Sequence, residues 1–283
     1  MGHWRVIRLA ESENGSPWAD ALGDSSWQTR ARHLKADRGS SVHVADFCGR
    51  RVVVKCWSMR GLKRRVQQVI SSTRGLRHWA GAVWLSGHGI ATASPVALLR
   101  GHRAGSPVEC LVMEFLDGRS VLEHLGDGDL SPATEHALAR CLGVQIHRIV
   151  SLGRFNRDHK PSNLIVTSAE ADHPEVAIID CGAIRRRGAN RKAARERMLA
   201  MLLIEAIGCR CPPRRTLRLR AALAALGAPG APIGQPGASR PDRRTLKREL
   251  RGLITAVDDR IARHGDPTPR VNPLPVGSPV PPS

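Results

Sequence analysis

Between Phe155 and Val166 the chain reads Phe-Asn-Arg-Asp-His-Lys-Pro-Ser-Asn-Leu-Ile-Val, and this stretch limits what the remainder can fold into more than any other. Asp158, Lys160 and Asn163 occupy a short polar turn, and Leu164 to Val166 follows at once as an apolar, strand-like run. Asp, Pro, Ser and Asn also make up ordinary helix-to-strand connections, because each favours turns for local backbone reasons. The grouping of a carboxylate, an ammonium and a carboxamide at i, i+2 and i+5 is more specific. Such groups suit phosphoryl transfer: the carboxylate orients an attacking hydroxyl and accepts its proton, the ammonium neutralises charge on the moving phosphoryl, and the amide oxygen can bind Mg²⁺.

Downstream, Glu175 to Gly182 runs Glu-Val-Ala-Ile-Ile-Asp-Cys-Gly, a short apolar strand that ends on an acid and a glycine. Leu164–Val166 and Val176–Ile179 flank a polar connection and are expected to pair as a hairpin. An acid leaving a buried strand beside the polar turn makes Asp180 a second candidate metal ligand. Upstream, Arg51 to Lys55 is a β-branched strand ending in lysine. The chain has 44 Lys+Arg, of which only six are lysines, so Lys55 and Lys160 stand out. Taken alone, Lys55 also reads as a residue that ends a strand at the surface.

In order and in spacing, Lys55, Asp158, Lys160, Asn163 and Asp180 resemble the protein-kinase-like superfamily, whose catalytic loop has the Asp158-to-Asn163 spacing. Arg77 to Leu85 (Arg-His-Trp-Ala-Gly-Ala-Val-Trp-Leu) and Gly89 to Ala97 (Gly-Ile-Ala-Thr-Ala-Ser-Pro-Val-Ala) resemble, within it, the lipopolysaccharide kinase family of Kdo and heptose kinases, with RIO-type kinases as near neighbours. The resemblance covers roughly Ala31 to Leu226. It implies an α+β, two-lobed fold, with a small antiparallel sheet lobe followed by a mainly helical lobe. It also implies an ATP- and Mg²⁺-dependent phosphotransferase: Asp158 as base, Lys160 at the γ-phosphoryl, Asn163 and Asp180 on the metal, Lys55 on the α/β-phosphates. Gly39, Ser40 and Ser41 would form the turn over the phosphates, although one glycine serves an ordinary hairpin equally well. Met113, Glu114 and Leu116 would border the adenine. The implied acceptor is a hydroxyl on an anionic glycolipid at the inner membrane face, or a protein serine or threonine.

Three positions depart from the pattern. Asn156 stands where the catalytic loop has histidine, and Cys181 where an aromatic follows the metal-binding acid. His78 stands where the helix of the first lobe offers a glutamate to the strand lysine, and no acidic residue lies between Asp46 and Glu109. A nucleotide-binding pseudokinase acting as a basic interaction module is therefore the alternative reading.

Composition adds the setting. The formal charge of +19 favours anionic partners. Nucleic acid is not an expected one, because the charge comes without an aromatic-rich basic face or a recognisable motif. Arg185 to Arg197 is a dense basic run that reads equally as a solvated face or as a docking surface for an anionic acceptor or membrane. Seven scattered cysteines read as reduced thiols of a cytoplasmic protein, with Cys209 and Cys211 too close and too isolated for a zinc site. Met198 to Ile207 is apolar but short and is interrupted by Glu205, so no membrane span is expected. The expected organisation is an extension over 1–30 containing Trp4, Trp18 and Trp27, a first lobe over 31–116 and a second over 117–226. A Gly/Pro linker over 227–241, an amphipathic helix over 242–265 that the lobes can fold without, and a disordered proline-rich tail over 266–283 complete it.

Overall fold

The computed structural model describes residues 4–24, 26–37, 39–61, 72–169, 173–186, 188, 190–227 and 242–274. The chain divides into two compact units. One runs to Leu116 and takes in Asp180–Gly182, and the other comprises Asp117–Ile179 and the chain from Ala183 onward. Residues 62–71 lie outside the described residues, as do most of the linker (228–241) and the end of the tail (275–283).

The first unit is built on a six-stranded antiparallel sheet in the order β1-β5-β6-β4-β3-β2. Its strands are β1 (Arg5–Leu9), β2 (Arg32–Asp37), β3 (Ser40–Phe47), β4 (Arg50–Ser58), β5 (Pro95–Arg103) and β6 (Ser106–Glu114). Cys48 and Gly49 both take positive φ, 52° and 76°. That is the two-residue turn whose twist suits a tight hairpin, and it fixes the β3–β4 register from Phe47↔Arg50 to Ser40↔Trp57. Alternation along β4 and β6 then gives the sheet two different faces. Val52, Val54, Cys56, Cys110 and Val112 make up an apolar face that packs with Trp18, Leu22 and Trp27, all at most 3% exposed. These three come from helices α1 (Gly15–Gly23) and α2 (Trp27–Arg30). The N-terminal tryptophans are thus the cover of one sheet face, each buried large side chain contributing about 1.5–3 kcal/mol.

The opposite face carries Lys55, Trp57, Glu109, Leu111 and Met113. It is met by helix α3 (Arg74–Gly87), which Thr73 caps by accepting from the Leu76 amide.

The second unit begins with β7 (Arg119–Ser120) and α4 (Val121–Asp127), joined by a complete capping box between Ser120 and Glu123. Helix α5 (Pro132–Ser151), capped by Ser131 with proline in its first turn, buries Leu138, Leu142, Ile146 and Ile149 along one stripe. It leads to β8 (Arg154–Asn156), the polar turn, and β9 (Leu164–Ser168). β9 pairs with β10 (Glu175–Ile178) as the expected hairpin, and β8 pairs with β11 (Ile184–Arg186). Helices α6 (Arg191–Gly208), α7 (Arg215–Ala225) and α8 (Arg243–Ala262) complete the unit.

The last helix is more than an appendage. Leu253 and Val257 are at most 2% exposed, on the face that meets α6 and α7, and Arg218 of α7 is ion-paired to Asp258. The tail continues this packing: Pro267 lies against Gly208, and Leu274 is buried with Leu122, Ala206 and Cys211. Residues 266–274 therefore differ from the disordered segment expected of their proline content, because one leucine in that run finds an apolar socket.

Candidate active site

The first unit brings Lys55 and Asp180 together around His78. His78 projects from α3, is 2% exposed, and lies tilted against Trp57 with ring centres 6.5 Å apart. Its Nδ1 is 3.5 Å from Asp180 Oδ1, and its Nε2 accepts from the Cys181 amide at 3.5 Å, both at the outer limit of hydrogen bonding. An accepting Nε2 puts the ring proton on Nδ1, facing the carboxylate. Burial, reinforced by the Lys55 ammonium, pushes His78 down to about 3 against the opposite pull of Asp180, so the ring is neutral. The same lysine and aspartate act in opposite senses on the Cys181 thiol, which burial raises to about 11. Thr92 lies 3.0 Å from that thiol, and α3 comes close enough that a side chain at Gly81 would overlap the Cys181 carbonyl oxygen.

The acid missing from α3 is supplied to its end from the sheet. Glu109 of β6 is fully buried and accepts from Thr73 Oγ1 and the Gly75 amide, both at 2.8 Å, and from Arg100 Nε at 3.0 Å. A carboxylate at a helix N-terminus satisfies amides that have no partner within the helix and complements its dipole. Glu109 thus anchors the start of the helix.

The second unit assembles Asp158, Lys160 and Asn163 within one turn. Lys160 Nζ is 3.2 Å from Asp158 Oδ1, with both side chains about one-third exposed (36% and 35%). Asn163 Nδ2 donates to the Asp158 carbonyl at 3.0 Å, which orients the amide oxygen away from that carbonyl. The backbone closes on itself as well: the Lys160 amide donates to Asp158 O and the Asn163 amide to Lys160 O, at 2.9 and 3.0 Å. Pro161–Asn163 form a single 3₁₀ turn. Asn156, in place of histidine, is fully buried and accepts from the Asp158 amide at 3.0 Å, so a carboxamide holds the aspartate's backbone. The Ile179 amide, immediately before Asp180, donates to the Asn163 carbonyl at 3.0 Å.

Two further residues, Glu205 of α6 and His159 of the turn, were not singled out as site residues in the sequence. Glu205, read there as an interruption of an apolar helix, is 9% exposed and accepts from the Ser162 amide at 2.8 Å and from Ser162 Oγ at 2.7 Å. A lone acid in an otherwise apolar helical stretch was the available signal. His159 is fully buried, with neither ring nitrogen hydrogen-bonded among the described residues, and burial pushes it down to about 3.

The remaining anticipated residues are distributed along the sheet of the first unit. Met113 is 1% exposed and shares Lys55's face, two positions along from Leu111. Glu114 is exposed and its amide donates to Ser94 O, while Leu116 ends the unit half-buried. The β2–β3 turn is shorter than expected. Gly39 sits in it with φ 80°, but Ser40 and Ser41 already belong to β3, paired with Trp57 and Cys56. By alternation Ser40 falls on Lys55's face and Ser41 on the other.

The two metal candidates have suitable chemistry. Asn163 offers an oriented amide oxygen, and Asp180 a carboxylate that is 39% exposed. No cluster of three or more His, Cys, Asp or Glu able to hold a metal occurs among the described residues, Cys209 and Cys211 included. His147 has a structural setting, with Nδ1 3.3 Å from the Ala225 carbonyl. No helix among the described residues is long and apolar enough to cross a membrane.

No family model matches the chain, and no curated protein matches it. Among solved structures it is similar to WaaP in complex with acyl carrier protein, with a TM-score of 0.62 and 18% identity, over 92% of this chain and 98% of that one. At that identity the likeness is one of fold. The protein has an α+β, protein-kinase-like fold with a six-stranded antiparallel sheet in its N-terminal lobe and a mainly helical C-terminal lobe.

Proposed function

We propose that this protein is a phosphotransferase that moves the γ-phosphoryl group of ATP to a hydroxyl acceptor. The observation that carries this reading is the self-bonded turn in which Asp158, Lys160 and Asn163 are held in register. On this reading the acceptor oxygen attacks the γ-phosphorus, the bond from phosphorus to the ADP oxygen breaks, and the acceptor's proton passes to Asp158. Lys160, beside that carboxylate, meets the charge on the transferring group. Lys55 binds the α/β-phosphates, with Met113 and the backbone of Glu114 and Leu116 bordering the base and the turn at Gly39 near the phosphates. Asn163 and Asp180 would hold Mg²⁺, whose chemistry is to neutralise phosphate charge. The motif resemblance to lipopolysaccharide kinases favours a sugar hydroxyl on an anionic glycolipid over a protein serine or threonine. The net charge of +19 supports an anionic acceptor and a cytoplasmic protein that works at the inner membrane face.

The test is nucleotide-induced thermal stabilisation of wild type, Lys55→Ala and Asp180→Ala, followed by phosphoryl transfer to envelope lipid and protein fractions with wild type and Asp158→Asn. Wild type should be stabilised by Mg²⁺-ATP and both alanine variants much less. Asp158→Asn should bind ATP and lose transfer by about 10²–10⁴-fold, the contribution of a positioned base. Equal stabilisation of all three proteins would overturn the site assignment.

A second reading is favoured by one observation: the chain has no acidic residue between Asp46 and Glu109, and Glu109 is bonded to Thr73 and Gly75. It is a nucleotide-binding pseudokinase. ATP binding without transfer to any fraction, unchanged by Asp158→Asn, would establish it.

A further inference from the structure

Cys56 and Cys110 stand directly opposite one another in the β4–β6 pair, flanked by Lys55↔Leu111 and Trp57↔Glu109. Directly opposed residues of antiparallel strands have Cα atoms about 4.5–5.5 Å apart, inside the roughly 4.4–6.8 Å that a disulfide spans. Both side chains lie in the cluster that Trp18, Leu22 and Trp27 cover, where they are 3% and 1% exposed. Lys55 projects from the other face of the sheet, so the pair is no part of the candidate active site. Both thiols are free, and their sulfurs lie 2.7 Å apart, within about 0.7 Å of the ~2.05 Å of a sulfur–sulfur bond. A thiol is only a weak donor, and a hydrogen bond alone is a poor reason for so close an approach.

We propose that Cys56 and Cys110 are a dithiol–disulfide modification site, oxidised by a hydroperoxide to an intrachain bond that staples β4 to β6. In the first step one thiolate attacks a peroxide oxygen and breaks the oxygen–oxygen bond, leaving a sulfenic acid and water or an alcohol. The partner thiol then attacks that sulfur and expels its oxygen as water. Two thiols and one hydroperoxide thus become one disulfide, one water and one alcohol (a second water where the oxidant is hydrogen peroxide); the sulfurs give up two electrons and the peroxide takes them. Burial decides both the oxidant and the timing. Sulfurs this enclosed are out of reach of a protein disulfide or one the size of glutathione, whereas hydrogen peroxide is little larger than water. Burial, and after it the Cys56 thiol, also holds Cys110 well above the usual thiol range, so thiolate forms when the sheet opens. Once made and closed over, the bond is shielded from thiol reductants. It joins residues 54 apart in the chain and ties the strand that carries Lys55 to the strand that carries Glu109. The inference does not depend on the phosphotransferase reading.

The experiment treats full-length protein with hydrogen peroxide, blocks the remaining thiols with an alkylating agent in denaturant, and digests with trypsin without reductant. The expected product joins the peptides Cys56–Arg60 and Ala104–Arg119, each holding a single cysteine, at a mass two hydrogens below their sum. In native buffer this bond should resist dithiothreitol, and in urea it should yield to it. Closing a chain segment of this length should also raise the unfolding midpoint by roughly 5–15 °C over the reduced protein. Cys56→Ala and Cys110→Ala should lose that rise, and Cys48→Ser, which removes the exposed thiol of the β3–β4 turn, should keep it. The peptide map is read on the wild-type chain, so it decides the matter even where an alanine variant folds poorly. The proposal is overturned if both cysteines are recovered alkylated after peroxide treatment, if either is found joined to a different cysteine, or if the rise in midpoint persists in Cys56→Ala.

Discussion

Replacing Glu205 tests whether the polar turn is held from beneath. Its carboxylate accepts twice from Ser162, through the backbone amide at 2.8 Å and the hydroxyl at 2.7 Å, while 9% exposed. A hydrogen bond to an ionised, shielded acceptor contributes about 1.5–3 kcal/mol. Glu205→Ala removes both bonds and leaves the Ser162 amide without an acceptor, so a loss of about 3–5 kcal/mol is expected. For a chain of this size that lowers the unfolding midpoint by roughly 6–20 °C, at about 2–4 °C per kcal/mol. Glu205→Gln keeps an acceptor for the amide, and the hydroxyl can turn to accept from the new NH₂, so about 1–2 kcal/mol is expected. The effect on chemistry should exceed the effect on stability. Ser162 lies between Lys160 and Asn163, and misplacing reacting groups by about 1 Å can cost roughly 10²-fold in rate. With ATP and an acceptor fraction, kcat should fall by about that factor in Glu205→Ala while KM for ATP changes little. Thermal unfolding and initial-rate kinetics on wild type, Glu205→Gln and Glu205→Ala measure both. If Glu205→Ala unfolds within about a degree of wild type, the bonds contribute nothing net and the reasoning fails; if it is destabilised but keeps full kcat, the anchor holds the helix and does not position the turn.

Gly81→Ala should displace the Cys181 carbonyl it would overlap and, with it, Asp180; Mg²⁺-dependent nucleotide stabilisation should fall well below wild type, as measured by thermal shift. His159 is about 3 in the folded chain and near 6.5 when unfolded. The unfolded state therefore takes up the extra proton as pH falls, and stability drops through the window from about 6.5 toward 3. His159→Leu should remove about 2 kcal/mol of the loss between about pH 7 and 5, read as a shallower dependence of denaturant stability on pH. Truncation after Gly227 removes the burial of Leu253, Val257 and Leu274, each contributing about 1.5–3 kcal/mol; soluble yield and unfolding cooperativity should both fall, and an unchanged cooperative transition would show that the last helix is dispensable.

The sequence was most legible where local rules and chemistry agreed. The Asp158–Asn163 turn, the hairpin of Leu164–Val166 with Val176–Ile178, and the strand of Lys55 all combine period-2 apolar runs with turn residues. Helix α5 announced itself through Ser131, Pro132 and an apolar stripe. What stayed hidden depended on contacts distant in sequence. Nothing local to Glu109 says that it caps a helix beginning at Arg74, and nothing local to Glu205 says that it bonds Ser162. Which sheet face the N-terminal tryptophans cover is set by strands that follow them in the chain, so nothing local to them specifies it. The β2–β3 turn was misjudged in length because Ser40 and Ser41 are turn formers by type and strand residues by pairing, the cross-strand ladder outweighing a weak local preference. The last helix and Leu274 were set apart on composition, which records proline and glycine but not the apolar sockets on α6, α7 and α4.

The exchange of acids in the first unit bears directly on how Lys55 can work. With Glu109 bonded at the start of α3, that helix is fixed to the sheet. His78 directs its Nδ1 toward Asp180 and accepts from the amide of Cys181. Lys55 and Asp180 both act on this neutral ring and on the Cys181 thiol, in opposite senses. Whatever moves Asp180 therefore changes the field at His78 and Cys181, on which Lys55 acts in the opposite sense.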